Sequence, residues 1–179
     1  MGINIRKAKR EDIGGMLLVQ DECYPKDLHE TYDNYESMID HSENCYVLTD
    51  GDIIIGYVMA HLWNDLEKPA KLHVNLGKID NPCCLFLHDM AISPQYRGNK
   101  YGMCLLLRLQ QDVADIPYAL CAVNGADKYW KKMGFEVVEC DQSLLDSYCK
   151  DTKYMVARHP VFSAGGTDLP VFLLLIEKI

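Results

Sequence analysis

No apolar run in this 179-residue sequence approaches the roughly 18 residues that a membrane-spanning helix needs. The longest candidate, PVFLLLIEKI at the C-terminus, is short and reads as a strand. The N-terminal MGINIRKAKR lacks the apolar stretch of a secretory signal, and Arg6 stands where a myristoylation signal wants Ser or Thr. These absences point to a soluble, cytoplasmic protein with no membrane partner. Repeats, low-complexity tracts and linkers are also missing, so residues 1–179 read as one domain with a sizeable core. None of the eight cysteines forms a C-x-x-C pair, and several lie in apolar stretches such as YGMCLLL and YALCAV. Reduced core thiols are therefore expected, with no disulfide and no metal site. Basic charge is in deficit: 18 Lys and Arg stand against 26 Asp and Glu, a net charge of −8. That argues against a nucleic-acid partner. It suits a cationic substrate, although acidic balance also serves solubility alone.

Periodicity and turn chemistry divide the rest of the chain. Residues 3–10 alternate as a first strand. EDIGGMLLVQDECY has helical spacing with acids in its first turn, and Pro25 closes it. TYDNYESMID gives a short second helix. CYVLTDGDIIIGYVMAHLW reads as a hairpin turning at Asp50-Gly51. Residues 64–83 have two prolines and no period, and form a loop-like insertion of a length that is often functional. A strand over 84–93 precedes a helix from about Arg97 to Asp115. YALCAVN is a strand, ADKYWKKM a short helix stopped by Gly134, and FEVVEC and KYMVARH two more strands, with an edge strand in LPVFLLLIEKI. The order β-α-α-β-β-β-α-β-α-β-β predicts a mixed α/β fold.

The stretch LHDMAISPQYRGNKYG places Arg97, Gly98, Lys100 and Gly102 where a strand hands over to a helix. The first N–H groups of a helix have no intrahelical partner, and the helix dipole favours an anion there. Neither G-x-x-x-x-G-K-[ST] nor G-x-G-x-x-G is present, which excludes the two commonest nucleotide loops. MAISPQYRGNKYG resembles the pyrophosphate loop of the GNAT superfamily of N-acyltransferases, [QR]-x-x-G-x-[GA] after a strand ending in A-V-x-P. NGADKYWKKMGF resembles the second motif of that superfamily, an Asn followed by A-x-x-F-Y-x-K-x-G-F. With the element order, the resemblance covers most of the chain. It implies a mostly antiparallel central sheet of about six or seven strands flanked by about four helices.

The resemblance further implies acetyl-CoA as acyl donor. Met90, Ala91 and Ile92 would then bind the pantetheine arm and polarise the thioester. Arg97, Gly98, Asn99, Lys100, Tyr101 and Gly102 would hold the pyrophosphate, and Asn124 and Trp130 would lie beside the arm. Lys100 replaces a family glycine, and is expected to keep a helical backbone while adding charge. Trp130 replaces the tyrosine often assigned as general acid, which leaves Tyr129, one position away, as the acid or as core.

An amine needs a base with a pKa near neutrality beside the thioester. His88 is that candidate, with Asp89 and His61 behind it and a buried structural histidine as the alternative. Strand alternation would put Phe86, His88, Met90 and Ile92 on one face and Leu87, Asp89 and Ala91 on the other. LFLHDMAI resembles the arylalkylamine N-acetyltransferases, in which a histidine at the His88 offset is linked to proton removal; their earlier histidine falls on Phe86. DECYPKDLHETYDNY carries Asp21, Glu22, Asp27, Glu30 and Asp33 with Tyr24, Tyr32 and Tyr35. These acids and aromatics either receive an ammonium or form a solvated face. The expected activity is N-acetyl transfer to a primary amine of a small molecule. A peptide acceptor, a non-catalytic acyl-CoA-binding module and a homodimer stay open.

Overall fold

The computed structural model describes residues 2–158. Its elements are β1 (Ile3–Lys7), α1 (Ile13–Cys23), α2 (Tyr32–His41), β2 (Cys45–Asp50), β3 (Ile53–Trp63), β4 (Cys84–Ile92), α3 (Tyr101–Asp112), β5 (Tyr118–Ala122), α4 (Asp127–Lys132), β6 (Glu136–Val137) and β7 (Lys153–Ala157). The strands form one sheet in the order β1-β2-β3-β4-β5-β7-β6. Every pairing is antiparallel except β4 with β5. The expected α/β architecture therefore holds. Some bounds move. β1 stops at Lys7 because Lys9 turns to donate its N–H to Asp12. The helix expected from Arg97 starts at Tyr101, and FEVVEC pairs over only two residues. The expected edge strand in LPVFLLLIEKI lies outside the described residues.

Local chemistry sets the ends of the elements. Gly51 takes φ +59° at the β2–β3 turn, a conformation that costs glycine least. Thr31 caps α2: its hydroxyl accepts the Asn34 N–H, and the Asn34 side chain accepts the Thr31 N–H. Both faces of the sheet are covered, so β2 and the middle of β3 are apolar without alternation. Leu105, Leu106 and Leu109 of α3 pack on Leu85, Leu87 and Leu120. On the other face Ile13, Met16 and Met38 pack on Val47, Tyr57 and Met59.

Two departures from regular pairing create the site. Met59 pairs with Asp89 and Ala60 with Leu87, so His88 is an extra residue in β4, a β-bulge. The bulge overturns the simple alternation expected for this strand. Leu85, Leu87, Met90 and Ile92 all belong to the α3 face. His88 and Asp89 both turn to the other face, toward Glu30 and Tyr35. Second, β4 pairs with β5 only from Leu85 to Leu87. β4 continues to Ile92, and the two strands splay.

Residues 64–83 hold no helix or strand, as expected, but they are tied down. The Trp63 indole donates to the Lys68 carbonyl at 2.8 Å and the Tyr148 hydroxyl to that of Ala70 at 2.7 Å. Asn34 donates to the Asn75 side chain at 3.0 Å.

Candidate active site

A cavity of about 620 Å³ opens where β4 and β5 part. The N–H of Ser93 donates to Ile55 of β3, and alternate residues of a strand hydrogen-bond to opposite sides. Ala91 therefore faces β3, while the N–H and C=O groups of Met90 and Ile92 face the splay. Their carbonyls confirm the direction. Met90 accepts the Tyr24 hydroxyl at 2.7 Å, and Ile92 accepts Arg97 Nε at 3.1 Å and the Cys23 thiol at 3.3 Å. The two N–H groups point the same way, into the cleft.

The loop between β4 and α3 forms one end of the cavity. Gly98 takes φ +85°, and Lys100, the N-cap of α3, takes φ +62°. Lys100 thus does not continue the helix, contrary to expectation. It adopts the left-handed conformation for which glycine is suited, because the chain must turn there to aim the first N–H groups of α3 at the cavity. Arg97, Gly98, Lys100, Tyr101 and Gly102 line this end; Asn99 does not. The Asn99 amide bonds instead to the Tyr96 carbonyl at 3.1 Å. A Cβ on Gly102 would lie 2.7 Å from the Tyr129 hydroxyl, so glycine is what lets that hydroxyl approach the loop. Asn124, Tyr129 and Trp130 also line the wall. Trp130 is largely core, edge-on to Phe135, whereas Tyr129 is 38% exposed. Burial pushes the Tyr129 phenol up, so it keeps its proton at neutral pH.

The opposite end is acidic. Burial would raise the Glu30 carboxyl, but hydrogen bonds from His88 and His73 outweigh it and hold Glu30 below its ordinary range, hence ionised. His88 Nε2 lies 2.7 Å from Glu30 Oε1. The His88 side chain is wholly buried, so residue 88 meets the cavity through its main chain. Asp89 accepts the hydroxyls of Tyr35 at 2.6 Å and Tyr57 at 2.8 Å on one oxygen. Burial raises the Asp89 carboxyl, and those tyrosine hydrogen bonds only partly oppose it. The other residues of the expected acidic face disperse. Asp21, Asp27 and Asp33 are exposed, Tyr32 points to solvent, and Glu22 binds the Ser93 hydroxyl at 2.7 Å. Tyr35 lies in the core beneath Asp89; Tyr24 and Glu30 reach the cavity. His61 lies outside the wall, its ring 5.6 Å from that of His88.

The family model described as Acetyltransferase (GNAT) family matches residues 14–135, more than half of the chain. This chain belongs to the GNAT acetyltransferase family. Its fold matches Naa50 of Arabidopsis thaliana, solved with the bisubstrate analogue CoA-Ac-MVNAL, with a TM-score of 0.64 at 16% identity over 87% of this chain and 97% of that one. It matches the loading GNATL domain of CurA from Lyngbya majuscula with a TM-score of 0.71 at 13% identity, over 90% and 98%. It matches the PaiA N-acetyltransferase from Thermoplasma acidophilum, solved with coenzyme A, with a TM-score of 0.63 at 16% identity, over 89% and 100%. A search of curated proteins finds no match. On the GNAT frame, sequence reading missed several wall residues, among them Leu72, Cys121 and Tyr148, and the contacts of His73 with Glu30. Only the length of the 64–83 insertion signalled that it would matter.

Proposed function

We propose that this GNAT protein transfers an acetyl group from acetyl-CoA to the primary amine of a small, cationic molecule. The observation that carries this reading is the polarity of one cavity. Arg97, Lys100 and the first N–H groups of α3 stand at one end, Glu30 and Asp89 at the other, and the free edge of β4 between. A phosphate-bearing donor suits the first end; at the second, the buried charge of Glu30 attracts an ammonium at a distance, since both its oxygens are already bonded to His88 and His73. The loop residues around Gly98 and Gly102 have the glycine geometry and charge to hold a pyrophosphate, so the implied donor fits. Leu72 brings the 64–83 loop over the acceptor side, which favours a small acceptor over an extended peptide.

The chemistry needs little else. The amine nitrogen attacks the thioester carbonyl carbon, the C–S bond breaks, and the thiolate leaves. The N–H groups of Met90 and Ile92 stabilise the charge that develops on the carbonyl oxygen, usually the largest catalytic contribution in acyl transfer. The amine proton goes to His88, through an intervening water because the ring is buried. The Tyr129 phenol, pushed up by burial, stays protonated and donates a hydrogen bond to the departing thiolate.

The test is CoA release with panels of polyamines, aminoglycosides, arylalkylamines and peptides, beside His88→Ala. That variant should keep acetyl-CoA affinity and lose about 10²-fold or more in kcat. Unchanged turnover would remove His88 from the reaction. Thermal stabilisation by acetyl-CoA without CoA release from any amine would mean a binding module instead.

A further inference from the structure

Glu30 is held from every side. His88 Nε2 is 2.7 Å from its Oε1, the His73 main-chain N–H donates to the same oxygen at 2.9 Å, and His73 Nδ1 is 3.0 Å from Oε2. Its main chain is clamped by the Gln20 amide, which accepts the Glu30 N–H at 2.7 Å and donates to the Glu30 carbonyl at 3.1 Å. The Glu30 and His88 side chains are 1% and 0% exposed, while that of His73 is 47% exposed. Burying an ionised carboxylate is costly, and apolar side chains would fill such a position at less expense. Solubility and packing alone do not call for this arrangement.

The chemistry of the contact gives it a use. A carboxylate can only accept, so the proton on neutral His88 resides on Nε2. The lone pair is thereby left on Nδ1, a buried nitrogen with no hydrogen-bond partner among the described residues. Other titratable groups near the pair are the His61 ring, 5.6 Å from that of His88, Asp89, its neighbour on β4, which is occupied by Tyr35 and Tyr57, and Tyr148, which feels the charge of Glu30 but donates its hydroxyl to the Ala70 carbonyl. None of them competes for Nε2.

We propose that Glu30 is a positioning residue for His88, fixing the tautomer with a bare Nδ1, and that His73 secures Glu30, so that the 64–83 loop completes the proton-accepting unit. This rests on the reading of His88 given above. When Nδ1 takes the amine proton, the resulting imidazolium lies against the carboxylate and is stabilised by it. A loop without secondary structure thus becomes part of the catalytic unit, through a residue 43 positions from Glu30.

The experiment combines nitrogen NMR of histidine-labelled protein with steady-state kinetics on wild type, Glu30→Gln and His73→Asn. Asparagine is chosen because residue 73 has φ +59°, which asparagine tolerates better than most residues. Wild-type His88 should show a protonated Nε2, a bare Nδ1 and a strongly downfield ring proton. Glu30→Gln should move that proton upfield, lower kcat about tenfold or more and leave the acetyl-CoA KM unchanged. Losing the negative charge disfavours the imidazolium, so the acid limb of kcat/KM should move to lower pH. His73→Asn should move the same quantities in the same direction by less, and it stands in if Glu30→Gln fails to fold. A protonated Nδ1 in wild type, or a ring proton and acid limb unmoved in both variants, would overturn the proposal. The tautomer is read without any amine, so it judges the hold of Glu30 even if His88→Ala keeps full turnover and the reading of His88 itself falls.

Discussion

At residue scale, Lys100 bears two opposed demands. Its backbone sits at φ +62°, where a side chain costs roughly 1 kcal/mol relative to glycine. Its position at the N-cap of α3 also brings a positive charge to the end of the cavity that suits phosphate. Family resemblance predicts glycine here, and the observed backbone is the one glycine would take. The lysine therefore retains the strained turn and adds charge to it. Lys100→Gly should stabilise the protein by about 0.5–1 kcal/mol in urea unfolding, after allowance for the greater freedom of glycine in the unfolded chain. It should also weaken acetyl-CoA binding at low salt and flatten the salt dependence of that affinity, measured by calorimetry at two ionic strengths. An affinity with the same salt slope as wild type would mean the ammonium contributes nothing to the donor.

At the scale of elements, the site depends on how β4 is aligned against β3. Gly56 pairs with Ile92. A Cβ there would lie 2.5 Å from the end of the Ile92 side chain and 2.9 Å from the Ala91 carbonyl oxygen. The side chain can yield, but the main-chain oxygen cannot move without shifting the strand that carries the Met90 and Ile92 N–H groups. Gly56→Ala should cost about 1–3 kcal/mol in stability and raise the acetyl-CoA KM, read by denaturation and kinetics together. Much of this architecture was legible in the sequence. Turn residues, two periods and the helix stop at Gly134 yielded the element order, and Arg97–Gly102 with Asn124 marked one wall. The bulge was not legible, because LFLHDMAI sets His88 and Asp89 side by side in an otherwise apolar run and nothing in that pattern says that both turn to one face. Glu30 and His88 are 58 positions apart and meet only through tertiary packing. Within the short acidic stretch nothing in the sequence separates Glu30, which is buried, from Asp27 and Asp33, which are solvated.

At the scale of the whole molecule, buried ionisable groups pull the pH dependence of folding in different directions. The Asp89 carboxyl is raised by burial, so its contribution to stability is present in acid and is lost as pH rises through that raised value. Glu30 is lowered, so its contribution is present above the unfolded carboxyl value and is lost only as pH falls below it. His61 acts in the range between. It is 1% exposed, packed among the rings of Trp63, Phe86 and His88, and burial first, then the charge of His88, depress it to about 3. Its Nδ1 meets the Leu62 carbonyl at 3.1 Å, and Nε2 has no partner among the described residues. A histidine depressed in this way contributes stability above about 6.5, and that contribution drains away as pH falls from there toward 3. The unfolded chain binds the proton that the folded core refuses, which at pH 5 amounts to about 2 kcal/mol. Phenylalanine at this position keeps the ring packing and removes the titration. His61→Phe should therefore match or slightly exceed wild type at pH 7.5 and exceed it by about 2 kcal/mol more at pH 5, compared by urea unfolding at the two pH values. Parallel stability curves for the two proteins would show that His61 takes up its proton without opening the core, and the acid sensitivity of the fold would then belong to other groups.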